Sequence, residues 1–245
     1  MKKILSWIFT PLHALIFIII ILVFHVSQVI ALNLFGYQAH KKVVDGMIAC
    51  MLTNLRLVMW VTIRFGKIPD EITTDKPLII VSNHQSMFDI PMIGWLFRKN
   101  HPKYISKREL TKGIPSISYN IRNGGSIAIN RSNAAEAVQI ITEFGSYLEK
   151  HCYAGCIFPE GTRSRNGALK PFKTTGLVQL LKSAPNANVI PVAVQGSWKI
   201  NLLPIPYGFQ IYVTPLSVIK REQHTDEQVA VACEQSIRQY LESTH

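Results

Sequence analysis

Negative charge is scarce in this chain. Across 245 residues, 15 Asp and Glu face 26 Lys and Arg, a formal net charge of +11. That balance excludes a polyanion-repelling surface and favours nucleic acid, an anionic membrane, or phosphorylated and acidic substrates as partners. Cysteine is sparse too: Cys50, Cys152, Cys156 and Cys233 form no C-x-x-C pair and no matched Cys/His ligand set. His151, Cys152 and Cys156 are the one grouping with any metal-ligand character, and ordinary buried thiols in a reducing, cytoplasmic-facing protein account for them more simply. The chain also lacks a G-x-S-x-G elbow, a P-loop, an internal repeat and any low-complexity tract. A serine acyl-enzyme, phosphate-loop chemistry and a solenoid are therefore not indicated.

Apolar residues are what the chain has in quantity. They make up 48% of it, and the mean hydropathy of +0.17 is high for a soluble nucleic-acid binder. No nucleic-acid partner is expected; positive charge combined with this much apolar surface points to a membrane. From Ala14 to Phe24 nothing polar intervenes, and the wider apolar stretch reaches from Ile4 to Leu34, enough for the roughly 20 residues that a crossing needs. A signal peptide is the competing reading, with Val29-Ile30-Ala31 as its cleavage site. A second greasy segment, Val43 to Gly66, contains Asp45, Asn54, Arg56 and Arg64, costly residues for a full span. Lys2, Lys3, Lys41 and Lys42 put positive charge on both sides of the first segment, so the positive-inside rule gives no direction. Two readings stay open, a helical pair dipping into one leaflet and a single transmembrane anchor.

After Lys67 the texture changes. "PLIIVS" (77–82), "KYISK" (103–107), "SIAIN" (126–130), "GCIFP" (155–159), "NVIPVAV" (188–194) and "FQIYVT" (209–214) read as strands. Helical character falls at 86–99, 132–151, 174–183 and 225–243. Alternating strands and helices predict an α/β domain, a mixed β-sheet flanked by helices, over residues 67–245, behind an N-terminal hydrophobic helical membrane anchor over 1–66.

Two strand ends carry chemistry. In "NHQSMFD", Asn83 to Asp89, the strand delivers His84 to a loop. Five helical residues turn about 500°, so His84 and Asp89 meet only if the backbone turns between them. Ser86-x-x-Asp89 also fits a capping box, in which Asp89 simply satisfies a helix N–H. In the catalytic alternative the Asp89 carboxylate holds one imidazole nitrogen and leaves the other as a general base. The second strand end is "CIFPEGTRSRNG", Cys156 to Gly167. There Glu160, Gly161, Thr162 and Arg163 offer close backbone approach, hydroxyl donors and a guanidinium fork suited to phosphate. A surface turn with solvated charges is the plainer alternative.

Together these stretches resemble the glycerolipid acyltransferase family, most closely the 1-acylglycerol-3-phosphate (lysophosphatidic acid) acyltransferases. Its N-H-x-x-x-x-D motif is matched at Asn83, His84 and Asp89. Its G-x-I-x-I-x-R pattern is matched at Gly125, Ile127, Ile129 and Arg131. F-P-E-G-T-R-S is matched without change from Phe158 to Ser164, and a V-P-V-like element appears as Ile190-Pro191-Val192. Order and spacing agree across about 75–215.

The resemblance implies that His84, oriented by Asp89, deprotonates an acceptor hydroxyl as it attacks an acyl thioester. It implies that Arg131 and Arg163 bind the acceptor phosphate, with Glu160, Gly161 and Thr162 in the same loop and Lys107 as a further phosphate contact. No cofactor and no metal are required. The implied partners are a lysophospholipid acceptor, an acyl-CoA or acyl-carrier-protein donor, and the cytoplasmic face of the inner or plasma membrane. Asn130 and Ala128 depart from common family residues, and "PFKTTG" is one residue longer than the usual spacing. These departures keep a different lyso-lipid acceptor, such as a lyso-aminolipid, in play. A catalytically silent membrane-binding relative is the alternative from another class, and intact His84, Asp89, Glu160 and Arg163 argue against it.

Overall fold

A computed structural model describes residues 1–130 and 133–243. Its centre is a sheet of seven strands, β1 (Thr62–Phe65), β2 (Leu78–Ser82), β3 (Lys103–Lys107), β4 (Ile127–Ile129), β5 (Ala154–Ile157), β6 (Asn188–Gln195) and β7 (Gln210–Pro215). They lie in the order β1-β7-β6-β2-β5-β3-β4. All pairs are parallel except β6 with β7, so the sheet is mixed, as expected. Each of the six strands read from the sequence is present.

β2 is buried at every position because the sheet is covered on both faces. Leu78 and Ile80 face one core with Leu55, Met59, Met92 and Phe97. Ile79 and Val81 alternate onto the other face. There they meet α4 (Ala134–His151), α5 (Thr174–Ser183) and α6 (Asp226–Ser243) through Phe144, Leu148, Leu177, Leu180 and Cys233. Complete burial of one such leucine stabilises the fold by about 1.5–3 kcal/mol. The short helices α2 (Asp89–Leu96) and α3 (Ile117–Asn123) lie on the first face.

The N-terminal α1 (Lys2–Val58) is two helices joined at Gly36, whose φ of 76° and ψ of −170° break the helical path. Positive φ costs a glycine nothing. The arms fold back on each other: Asn54 Nδ2 donates to the His13 carbonyl at 3.1 Å, and Gln28 Nε2 lies 3.4 Å from Met47 Sδ. The second greasy segment differs from its expected course. Its helix ends at Val58, and Thr62–Phe65 joins the sheet as β1, parallel to β7. The boundary drawn at residue 66 therefore falls beyond the first strand of the sheet.

The first arm is docked along its length. Ser6 Oγ and Thr10 Oγ1 accept from the backbone N–H groups of Tyr207 and Ile205 at 2.9 and 3.0 Å. Phe17 meets Phe88, and Gln28 Nε2 donates to Ser116 Oγ at 2.5 Å; just past the break, the Tyr37 hydroxyl and His101 Nδ1 share a 2.8 Å hydrogen bond. Its opposite face is apolar and bare: Ile4, Trp7, Ile8, Leu12, Leu15, Ile18, Ile19, Leu22, Val23, Val26 and Ile30 are exposed at helical spacing.

Candidate active site

The carboxyl ends of the adjacent strands β6, β2 and β5 lie side by side, on the usual ligand side of an α/β sheet. β2 supplies His84, β5 supplies the loop from Phe158 to Arg163, and β6 supplies Gly196 and Ser197.

His84 and Asp89 meet. His84 Nδ1 donates to Asp89 Oδ2 at 2.9 Å, and the same oxygen accepts the backbone N–H groups of Gln85 at 2.6 Å and Ser86 at 2.8 Å. The orienting reading is realised; the N–H groups that Asp89 accepts belong to the turn before α2, whose N-cap Phe88 has no side-chain cap bond. The carboxylate that closes the turn also holds the imidazole. For this reason α2 starts at Asp89 rather than near Ser86: residues 86–88 are spent on the turn that folds Asp89 back. Asp89 is fully buried, while the His84 side chain keeps 16% exposure. With Nδ1 donating to the carboxylate, Nε2 carries the lone pair. Phe158 stacks on the ring at 4.2 Å between centroids and 24° between planes, which limits its rotation.

Ser197 is a partner that sequence reasoning missed, and Asn83, matched there only as part of a motif, has a structural role. Ser197 Oγ donates to Asp89 Oδ1 at 2.6 Å and is wholly buried. The preceding Gly196 has φ 87°, and a Cβ there would stand 2.5 Å from the Gln210 carbonyl oxygen, so only glycine turns the chain this way. The Asn83 side chain accepts from Val194 N–H at 2.7 Å and donates to the Val194 carbonyl at 2.8 Å, clamping β2 to β6 below the site. Asparagine next to histidine in the motif was visible; a serine 108 residues beyond Asp89 carried no local signal.

Glu160 is buried and directs its carboxylate at backbone rather than outward. Oε1 accepts His84 N–H at 2.6 Å and Oε2 accepts Lys170 N–H at 3.0 Å. Burial raises its pKa, and those two N–H groups, followed by the charges of His84 and Lys170, partly offset the rise. The Ser164 N–H bonds to the His84 carbonyl at 2.7 Å, and Gly161 N–H to the Phe158 carbonyl at 3.0 Å. Thr162 and Arg163 then run exposed along the rim. There Lys170 Nζ donates to Thr162 Oγ1 at 3.3 Å and to the Arg163 carbonyl at 3.0 Å. Lys107 is exposed at the end of β3, where it pairs with Ile129 of β4; β3 pairs with β5, the strand leading into this loop, only through Lys103 and Tyr104. Arg131 lies outside the described residues. Among the described residues no cluster of His, Cys, Asp or Glu is arranged to hold a metal ion. Cys156 lies inside β5, Cys152 ends α4, and the His151 ring stacks against Tyr153.

Comparison with known proteins bears on this arrangement. Residues 63–195 match the family model described as Acyltransferase. The chain is similar to the 1-acyl-sn-glycerol-3-phosphate acyltransferase of Cocos nucifera, 29% identical over 180 residues, or 71% of this chain and 56% of that protein. It is also similar to the human 1-acyl-sn-glycerol-3-phosphate acyltransferase beta, 35% identical over 106 residues, covering 43% and 37% of the two chains. The chain thus spans about half the length, or less, of these curated relatives. Among solved structures, the 1-acyl-sn-glycerophosphate acyltransferase PlsC of Thermotoga maritima shares the fold. Its TM-score is 0.80 at 21% identity, covering 100% of this chain and 98% of that one.

Proposed function

The chain belongs to the acyltransferase family, and from that premise we propose that it transfers a fatty acyl group from an acyl thioester to the free hydroxyl of lysophosphatidic acid, yielding phosphatidic acid. The observation that carries this reading is the 2.9 Å bond from His84 Nδ1 to a fully buried Asp89 carboxylate at the end of β2. His84 Nε2 takes the proton of the acceptor hydroxyl as its oxygen attacks the thioester carbonyl. The resulting tetrahedral oxyanion collapses by breaking the C–S bond, and the imidazolium returns the proton to the departing thiolate. Asp89 stabilises the transient imidazolium, and Ser197 and the two turn amides hold Asp89 in place. Glu160 acts at one remove, tying the Arg163 loop to the backbone of the base. Arg163, with Lys107 and Arg131, supplies the positive charge for the acceptor phosphate. The relatives named above as 1-acyl-sn-glycerol-3-phosphate acyltransferases support this choice of acceptor.

The lipid acceptor must reach His84 from a bilayer, and α1 is suited to bring the domain there. A helix docked from Ser6 to Gln28 against the α/β domain cannot cross a bilayer without drawing that domain in with it. Its bare apolar stripe therefore lies in one leaflet, parallel to the surface. The net charge of +11 favours anionic headgroups, at about 1 kcal/mol for each well-placed cation. The acidic donor, acyl-CoA or acyl-carrier protein, arrives from the cytoplasm. Purified protein incubated with labelled acyl-CoA or acyl-carrier protein and a set of lyso-lipids should form phosphatidic acid from lysophosphatidic acid, and His84→Ala should abolish the product while vesicle binding persists. Turnover only with another lyso-lipid would reassign the acceptor, and normal turnover by the His84 variant would remove the base.

A further inference from the structure

The loop between Ser197 and β7 presents Leu202 and Leu203 to solvent, the latter 80% exposed. A single bare leucine is ordinary, but this pair is held from both sides. On one side the segment starts at Ser197, bound to Asp89, and Asn201 Nδ2 donates to the Gln85 carbonyl at 2.7 Å. On the other side Ile205 and Tyr207 are bonded through their N–H groups to Thr10 and Ser6. The Tyr207 ring stacks on Phe9 at 5.3 Å, and Gly208 N–H donates to the Met59 carbonyl at 2.9 Å. Ile200, Ile205 and Phe209 are in the core, so the loop has apolar roots and cannot turn its two leucines inward. Its clasp on α1 uses the inner face of the same turns whose outer face exposes Ile4, Trp7 and Ile8. Lys2 and Lys3 are exposed at the start of that helix, and Lys199 stands beside Trp198 on the loop's approach. Cations and a tryptophan bordering an apolar edge are the side chains that favour a headgroup layer.

We propose that Leu202–Leu203 is a second bilayer-inserting element, which enters the same leaflet as the α1 stripe and seats the end of β2 that carries His84 close to the lipid surface. Its occupant is the acyl region of a lipid leaflet. The proposal rests on the reading that α1 lies in a membrane interface, and extends that interface from the helix to the rim of the site. Geometrically, the span from Ser197 to Tyr207 links the carboxylate holding the base to the helix that holds the membrane. A lipid acceptor rising from the leaflet beside Leu203 is therefore delivered next to Gln85 and His84 rather than at the far side of the sheet.

The test uses the full chain with Cys50→Ser and Cys152→Ser, leaving the buried Cys156 and Cys233. Single reporters are placed at Leu203→Cys, Leu15→Cys and Ser217→Cys. Leu15 is on the α1 stripe, and Ser217 is exposed at the opposite end of the sheet. Each variant carries an environment-sensitive fluorophore and is bound to phosphatidylglycerol–phosphatidylcholine vesicles with brominated chains. The Leu203 and Leu15 reporters should blue-shift and be quenched at a depth of about 5–10 Å below the headgroups, while the Ser217 reporter is unchanged. Quenching at Leu15 without quenching at Leu203 overturns the proposal and leaves the α1 reading intact. Quenching at neither overturns both. A concentration-dependent shift at Leu203 without vesicles would assign the leucines to a contact between copies of this chain and also overturn the proposal.

Discussion

Replacing Asp89 by Asn isolates the charge on which the proposed base depends. The carboxylate accepts from His84 Nδ1, Gln85 N–H and Ser86 N–H on one oxygen and from Ser197 Oγ on the other. Asparagine can reproduce this set. Its carbonyl oxygen faces the three N–H donors, its NH₂ donates to Ser197, and the serine hydroxyl turns towards Gln85 Oε1, 3.5 Å away. Shape and histidine tautomer survive, and the negative charge opposite the imidazolium does not. General-base catalysis is worth about 10²–10⁴ in rate, so kcat should fall by about that factor, equivalent to about 3–5.5 kcal/mol of transition-state stabilisation. Folding should lose only about 1–3 kcal/mol, the cost of weakening bonds to a buried charge. The assay is steady-state acyl transfer, beside urea unfolding of the same preparation. A folded Asp89→Asn protein turning over within a factor of a few of the parent would refute the assignment.

Three other perturbations bear on different contacts. Ser197→Ala removes the donor to Asp89 Oδ1; kcat should fall by a factor of about ten with KM little changed, whereas a purely structural role would lower stability and leave kcat in place. Arg163→Ala should raise the apparent KM for a phosphorylated acceptor with little change in kcat, and an unaltered KM would place the phosphate elsewhere. Lys103 is buried against Tyr37 and Tyr153, and burial, with Lys41 nearby, pushes its pKa from 10.5 down to about 7 despite Asp45. The unfolded chain binds that proton more tightly, so the cost of burying the charge is fully present below about pH 7 and fades as pH rises towards 10.5. Urea stability should therefore increase between about pH 7 and 9.5, and Lys103→Met should flatten that increase.

Much of this molecule was legible because its signals are local. A short apolar run such as Leu78–Ser82 is driven to a covered strand whatever surrounds it. Asn133, at the start of α4, accepts from the Glu136 N–H as a cap should. β1 was not legible, since "TIRF" continues an apolar run without a break, and exposed Arg64 makes sense only beside β7 at the sheet edge. Nor was α3, seven residues entered through Ser116 at φ 64° with no helical period to announce it.

For the site, the sequence alone determined the reagents: a histidine and an aspartate at the end of one strand, and a Glu-Gly-Thr-Arg run at the end of another. Tertiary structure decided how they are held. Glu160 turns to the backbone of a residue 76 positions earlier, Ser197 reaches back 108 positions to Asp89, and the loop at Tyr207 is clasped by Ser6 across 201. Such contacts join groups that share no local pattern, and they form only because parallel strands from distant parts of the chain end side by side. Periodicity and motif spacing reach a few residues along a backbone; a hydrogen bond reaches about 3 Å through space, and only the folded sheet converts one into the other.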